Sequence, residues 1–321
     1  MNQVRDITHE AITYFEQQGN QEALSEALHG YSELSMLLGK VQDAFEIAQR
    51  RLTIPNLPEK EWANAVNMIA TQYLYDCNFE NCMDYARTIF SQLKPGQPIA
   101  NLYRVATRLA VAAFFLGRWE DAQKVRPQLD EIRELIHYDE FAVADLSDGY
   151  IALLWVALAR EDRPQIDEIA SIIRKDAVPL GADFLHYFEA QVSDDLHQLP
   201  EQIMRGNDSL FIPCFLFLLE HGKPIYPELA KLMREAASMY KMYSVLGDIS
   251  LALEQDDHSH LAQAIDRAEA NQFVVHAARM RIVLAQCTGD RSHLERARPV
   301  LQRLGDHMHL RKLEEVEQGI K

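Results

Sequence analysis

Apolar positions recur along this chain at three- and four-residue spacing, and period-two alternation of Val, Ile and Thr is scarce. The pattern predicts helices arranged as hairpins. First helices fall at about 21–38, 59–76, 98–116, 140–160, 180–191, 208–221, 242–254 and 272–287. Their partners fall at about 40–53, 78–93, 118–136, 164–174, 195–206, 225–240, 258–270 and 291–304. Pro58 and Pro164 suit first turns of helices, where no amide donor is missed. "KPGQP" (94–98) reads as a connector, while "VPLG" (178–181), "LP" (199–200) and "GKPIYP" (222–227) punctuate a less regular middle.

The hairpins repeat. "LSMLLGKVQDAFEIAQRRL" (34–52), "YLYDCNFENCMDYARTIF" (73–90) and "AFFLGRWEDAQKVRPQL" (113–129) share one order of residues. An apolar helix end is followed by Gly, or by Cys77 in its place. Two positions on stands Val41, Phe79 or Trp119, and three further on a small residue, Ala44, Cys82 or Ala122. "LAREDRPQIDEIASII" (158–173) continues the series with Ile166 in the small position. Ser-His-Leu occurs at 259–261 and again at 292–294, an offset of 33 residues, with Ala264 and Ala297 three places later. A Gly accepts the left-handed turn that ends the first helix, and the small residue lets that helix pack closely on the second. One hairpin cannot bury both apolar stripes, so the next must cover it.

These positions resemble the tetratricopeptide repeat (TPR), whose small–Gly–apolar–small order is seen in "LGRWEDAQ". The match is good over Ser25–Leu52, Ala63–Phe90 and Tyr103–Leu129, fair in the last two hairpins and poor between about 176 and 240. The resemblance implies an all-α fold, an α-solenoid of about eight TPR-like hairpins. It has regular repeats over 21–174, an irregular stretch over 175–240, repeats over 242–304 and a cap over 306–318. Residues 3–18 read as the second helix of a hairpin whose first is missing, as expected of a piece of a longer chain. Such irregular superhelices occur in bacterial multidomain regulators, including activators like that of the maltose regulon and signal-transduction ATPases.

Composition narrows the function. The 321 residues, 48% of them hydrophobic, form one superhelical unit in this reading. The net charge of −16 argues against nucleic acid as direct partner. No apolar run is expected to reach the length needed to cross a bilayer, the longest candidate being "FIPCFLFLLEH", and the first residues carry no signal-peptide pattern. Cys77, Cys82, Cys214 and Cys287 lack CxxC spacing and suit reduced thiols in the cytoplasm.

Catalytic signatures are missing: there is no GxxxxGK[ST], GxSxG or HExxH. No metal or other cofactor is expected. His258 and His260 follow Asp256 and Asp257, and His307 and His309 follow Asp306, but residues two apart point to different helix faces. Asp194 and Asp195 read as a helix start, and Glu314, Glu315 and Glu317 as a solvated face.

The TPR resemblance instead implies a binding groove lined by the first helix of each hairpin. Its inward set holds Glu26, His29, Glu33 and Met36; Asn64, Asn67, Thr71, Leu74 and Tyr75; Arg104, Thr107, Arg108, Phe114 and Phe115; and Asp148, Ile151 and Trp155. Asn67, Arg104 and Arg108 resemble part of a carboxylate clamp, able to hold a carboxylate or phosphate unless both arginines pair with neighbouring acids. Glu33 has the wrong sign for one. Tyr75 and either Phe114 or Phe115 are expected to face the groove, and Trp155 the core. The expected function is a non-enzymatic binding module for a protein, peptide or small effector. The alternative is an adaptor or homo-oligomeric scaffold whose outer surface includes an apolar patch from 212–219.

Overall fold

The computed structural model describes residues 2–38, 40–93, 99–176, 182–195, 212–224, 230–231, 233 and 241–320. Among these there is no strand. The helices are α1 (Asn2–Gln18), α2 (Gln21–Leu37), α3 (Val41–Arg51), α4 (Glu59–Tyr75), α5 (Phe79–Gln92) and α6 (Tyr103–Phe115). They continue as α7 (Trp119–Lys124), α8 (Arg126–Ile136), α9 (Glu140–Ala159), α10 (Arg163–Asp176), α11 (Ala182–Ser193) and α12 (Ile212–Glu220). The chain closes with α13 (Lys241–Glu254), α14 (His258–Ala270), α15 (Val274–Thr288), α16 (Ser292–Leu304) and α17 (His307–Gly319). The expected helix at 195–206 and most of that at 225–240 lie outside the described residues.

One backbone device makes the hairpins. Cys77, Gly117, Glu161, Asp194, Gly222 and Asp256 each have φ between 52° and 70° and end a first helix. At every one the following amide reaches back five residues, as in Asn78 N to Tyr73 O (2.9 Å), Arg118 N to Ala113 O (2.8 Å) and Asp162 N to Ala157 O (2.9 Å). This is the Schellman closure, which satisfies carbonyls left open at a helix end. Cys77 therefore does occupy the glycine position. Asp194 belongs to the same series and ends α11; the helix expected to start at Asp194 and Asp195 lies outside the described residues. The small residues Ala44, Cys82, Ala122, Ala264 and Ala297 are all buried at the hairpin crossings.

The expected helix over 118–136 is interrupted at Val125, where α7 gives way to α8. Pro127 lacks the amide that would bond back to Gln123, and its ring crowds that carbonyl. Helix α9 contains an 18-residue window, Ala142–Ala159, of mean hydropathy 1.5, which meets the length and composition of a membrane span. That overturns the expectation that no run is long enough; Asp145 and Asp148 hid it. The window is 78% buried within the protein, as befits a central core helix.

The hairpins do more than pack on their sequence neighbours. Helix α13 also contacts α4, α15 contacts α6, and α17 contacts α9. The first helices of the C-terminal hairpins thus lie against the first helices of the N-terminal ones. Phe273 packs on Phe79 (5.1 Å) and on Phe115 (5.0 Å), and Tyr243 stacks on Tyr75 (5.8 Å). Phe79, Phe115 and Phe273 are at most 1% exposed. Burying three such rings contributes about 5–9 kcal/mol, against about 5–15 kcal/mol for a whole domain's stability. This closure is part of the folded state. One contiguous core accordingly runs from Ala63 in α4 to Leu304 in α16.

Candidate functional site

The closure divides the first-helix face in two. At the C-terminal ends of α4 and α6 it is covered: Leu74, Phe114, Phe115, Ile151 and Trp155 are all buried. Neither phenylalanine is open, contrary to expectation. Phe114 meets Trp119, Trp155 and His276, and Phe115 meets Phe79, Phe273 and His276, so the returning chain covers both rings. Trp155 is core, as expected. Tyr75 is half-buried beneath Tyr243.

Toward the N-terminal ends the face is polar and partly open. Arg104, 46% exposed, donates from Nε to Asp145 Oδ2 (2.7 Å) and lies over the Tyr103 ring. Arg108, buried, donates from Nη1 to Asp148 Oδ2 (3.2 Å), and its Nη2 pairs with Asp145 at 3.6 Å. Both arginines therefore pair with neighbouring acids. Asp145 was the missing partner: it stands one turn before Asp148, so both carboxylates share one face of α9. Burial raises the Asp148 carboxyl to about 6 against the pull of Arg108, with Asp145 adding to the rise. Burial lowers the Arg108 guanidinium, but Tyr75, Asp145 and Asp148 outweigh it and hold it above its ordinary value.

Asn67 bonds to the backbone on both sides of its amide. Its Nδ2 donates to Asn101 O (2.7 Å) and its Oδ1 accepts from Val105 N (3.1 Å), so it caps the start of α6. His29 and Glu33 form their own pair at 3.3 Å, beside buried Arg51, which binds Glu61 (2.9 Å). Among the described residues of this hairpin, His29 and Arg51 are thus both paired with acids. Glu26 is exposed and Asn64 half-buried; the Met36 side chain lies outside the described residues. Three buried polar atoms on this face have no hydrogen-bond partner: Thr71 Oγ1, Thr107 Oγ1 and Arg108 Nε.

No protein-family model matches the chain, and no curated protein matches it significantly.

A second polar cluster escaped the sequence. Glu220 of α12 accepts from Arg279 Nη1 (3.1 and 3.2 Å) and from His276 Nδ1, both on α15. Arg279 Nε also donates to Asp306 Oδ2 (3.0 Å), the buried N-cap of α17, which accepts from His309 Nδ1 at 2.9 Å. The closing helix is thus anchored through a buried face. A cleft of about 30 Å³ adjoins it, lined in part by Trp155, Gln191, Asp194, His221 and Lys312. That admits a water or two and no larger ligand. Asp194 binds Lys312 (2.9 Å) and His221 (3.0 Å) at the edge. Among the described residues no group of His, Cys, Asp and Glu is placed to hold a metal; here the Arg279 guanidinium occupies the middle. Glu220, His276, Arg279 and Asp306 lie up to one chain quarter apart, so no local spacing announces them.

Proposed function

We propose that this chain is a TPR-like superhelical binding module without catalytic activity, recognising a protein or peptide along the open part of its first-helix face. The observation that carries this reading is the unfilled hydrogen-bonding capacity of Thr71, Thr107 and Arg108 beside partly exposed Arg104. Buried groups of this kind mark a water or ligand position. The ledge is ionically balanced, two arginines against two aspartates, so a peptide backbone or small polar effector suits it better than a bare anion. Cytoplasmic residence fits the free thiols of Cys77 and Cys82. As the sensor region of a bacterial regulator, such a module couples occupancy to another domain.

The test is a thermal-shift screen of short peptides and small polar molecules against the wild-type chain, Thr107→Val and Arg104→Ala. A ligand of the native state raises the melting temperature with saturation. The expected result is a shift that both variants lose. Thr107→Val itself should be no less stable, because it removes an unpaired buried hydroxyl, a penalty of about 1–3 kcal/mol. The absence of any shift, or shifts untouched by both substitutions, overturns the reading. Concentration-dependent sedimentation in that case favours the second reading, an outer-surface scaffold. Phe215–Leu219 are buried and do not supply its patch, but Ile7 (62% exposed) and Tyr14 (57%) share one face of α1.

A further inference from the structure

The junction around Glu220 has a charge arithmetic of its own. His221 places Nδ1 2.8 Å from Phe217 O and Nε2 3.0 Å from Asp194 Oδ1. The ring thus links the end of α12 to the end of α11. Around Arg279 stand two carboxylates, Glu220 and Asp306, while Asp194 pairs with Lys312 at the edge. His276 and His309 lie against the same two carboxylates. Each of these two rings donates Nδ1–H to a carboxylate and is buried, and His276 Nε2 has no partner. The rings around His276 come from α6, α9 and the turn before α15: Phe114, Phe115, Trp155 and Phe273. These elements bring no countercharge to it.

We propose that the junction is a proton-operated clasp: proton uptake by His276 and His309 places excess positive charge around Arg279 and releases α17 from the face it covers. That face is the apolar end of α15 and α16, where Ala278, Ile282, Leu294, Ala297 and Leu301 pack with Leu313. Release exposes it to solvent or to a partner helix. The groups facing the two histidines are Glu220 from α12, Arg279 from α15 and Asp306 from the α17 cap, with Asp194, His221 and Lys312 lining the adjoining cleft.

The direction of the pH response follows from burial. Burial lowers both imidazoles below their ordinary value, with Arg279 acting the same way against Glu220 and Asp306. A depressed group contributes stability that is complete above its unfolded value, about 6.5, and is lost as pH falls through the folded one. The carboxylates act in a different window. Burial raises them, but their cations outweigh it and hold Glu220 and Asp306 well below the ordinary range and Asp194 at about 2. They stay ionised through the histidine window.

Hydrogen exchange on the full chain, corrected for intrinsic rates, tests this between pH 7.5 and 4.5. Amides of 307–319 should exchange faster as pH falls, by about tenfold per pH unit for one proton taken up and about a hundredfold for two. Helices α2–α6 should stay protected. His276→Asn/His309→Asn keeps an N–H donor near each Nδ1 but cannot gain a proton, and should abolish the acceleration. An α17 that exchanges independently of pH, or a double variant that opens like wild type, overturns the clasp. Should that variant not fold, ¹⁵N resonances of the two rings in the wild-type protein decide. Protonation coincident with α17 opening supports the proposal, and protonation without opening, or opening without it, refutes it. The clasp stands independently of any ligand on the first-helix ledge.

Discussion

Asp148 shows how a single residue can be readable in kind and unreadable in state. Its place on the first-helix face follows from the repeat, and the pairing of Arg108 with an acid is one of the two outcomes its neighbours permit. Its elevated carboxyl comes from burial beside Asp145, which depends on how closely α6 and α9 meet. A carboxyl raised from its ordinary value of about 3.9 contributes stability that is complete below that value. That stability is lost as pH rises through about 6. Asp148→Asn keeps an acceptor for Arg108 and removes the titration. It should therefore gain stability relative to wild type at pH 7.5 compared with pH 4.5, read as the difference in urea midpoints. An unchanged difference between the two pH values contradicts the assignment. The histidines of the clasp respond with the opposite sign in an overlapping window, so the comparison must be made between variants and not within wild type alone.

Hairpin turns are where the chain speaks most directly. Gly at 117 and Cys at 77 both flag a left-handed residue, but Glu161 and Asp256 do the same work without a compositional mark. Glu161, with φ 57°, carries the steric penalty of that conformation, about 1–2 kcal/mol. Its exposed ion pair with Arg311 returns at most about 1 kcal/mol. Glu161→Gly should accordingly stabilise the protein by about 0.5–1 kcal/mol in urea unfolding, and a loss of stability contradicts that account. Pro127 is the converse case: its helix-breaking effect is visible in the sequence, yet the uninterrupted apolar pattern over 118–136 concealed the break at Val125. Where Pro127 sits against a helix's own carbonyls, local chemistry overrode periodicity.

Closure is the property that belongs to the assembled chain. Gly117 reports it, because a Cβ there would lie 2.7 Å from Leu304 Cδ2 and its φ is 70°. Gly289 has nearly the same φ, 72°, but nothing within 4 Å of where a Cβ would lie. Both alanine variants pay the left-handed strain of about 1–2 kcal/mol. Gly117→Ala alone must also turn the Leu304 side chain aside. The expected outcome is a larger loss of melting temperature in Gly117→Ala than in Gly289→Ala. Equal losses would mean that the Leu304 side chain does not crowd this turn. The same closure explains why the aromatic end of the expected groove is filled: the face that TPR resemblance offers to a ligand is taken by α13 and α15 of the same chain.

Helix positions, hairpin pairing, the small residues at the crossings and most turn sites were determined by the sequence itself. Each depends on neighbours within a few residues: a hydrogen bond four back, a left-handed turn, a Cβ small enough for a crossing. The tertiary structure alone decided that α13, α15 and α17 return to α4, α6 and α9. It alone brought Glu220, His276, Arg279, Asp306 and His309 into one buried network. Return contacts depend on how all the intervening helices pack, which no local window encodes. Buried charges so far apart in the chain become partners only when that packing brings them within reach and strips them of water.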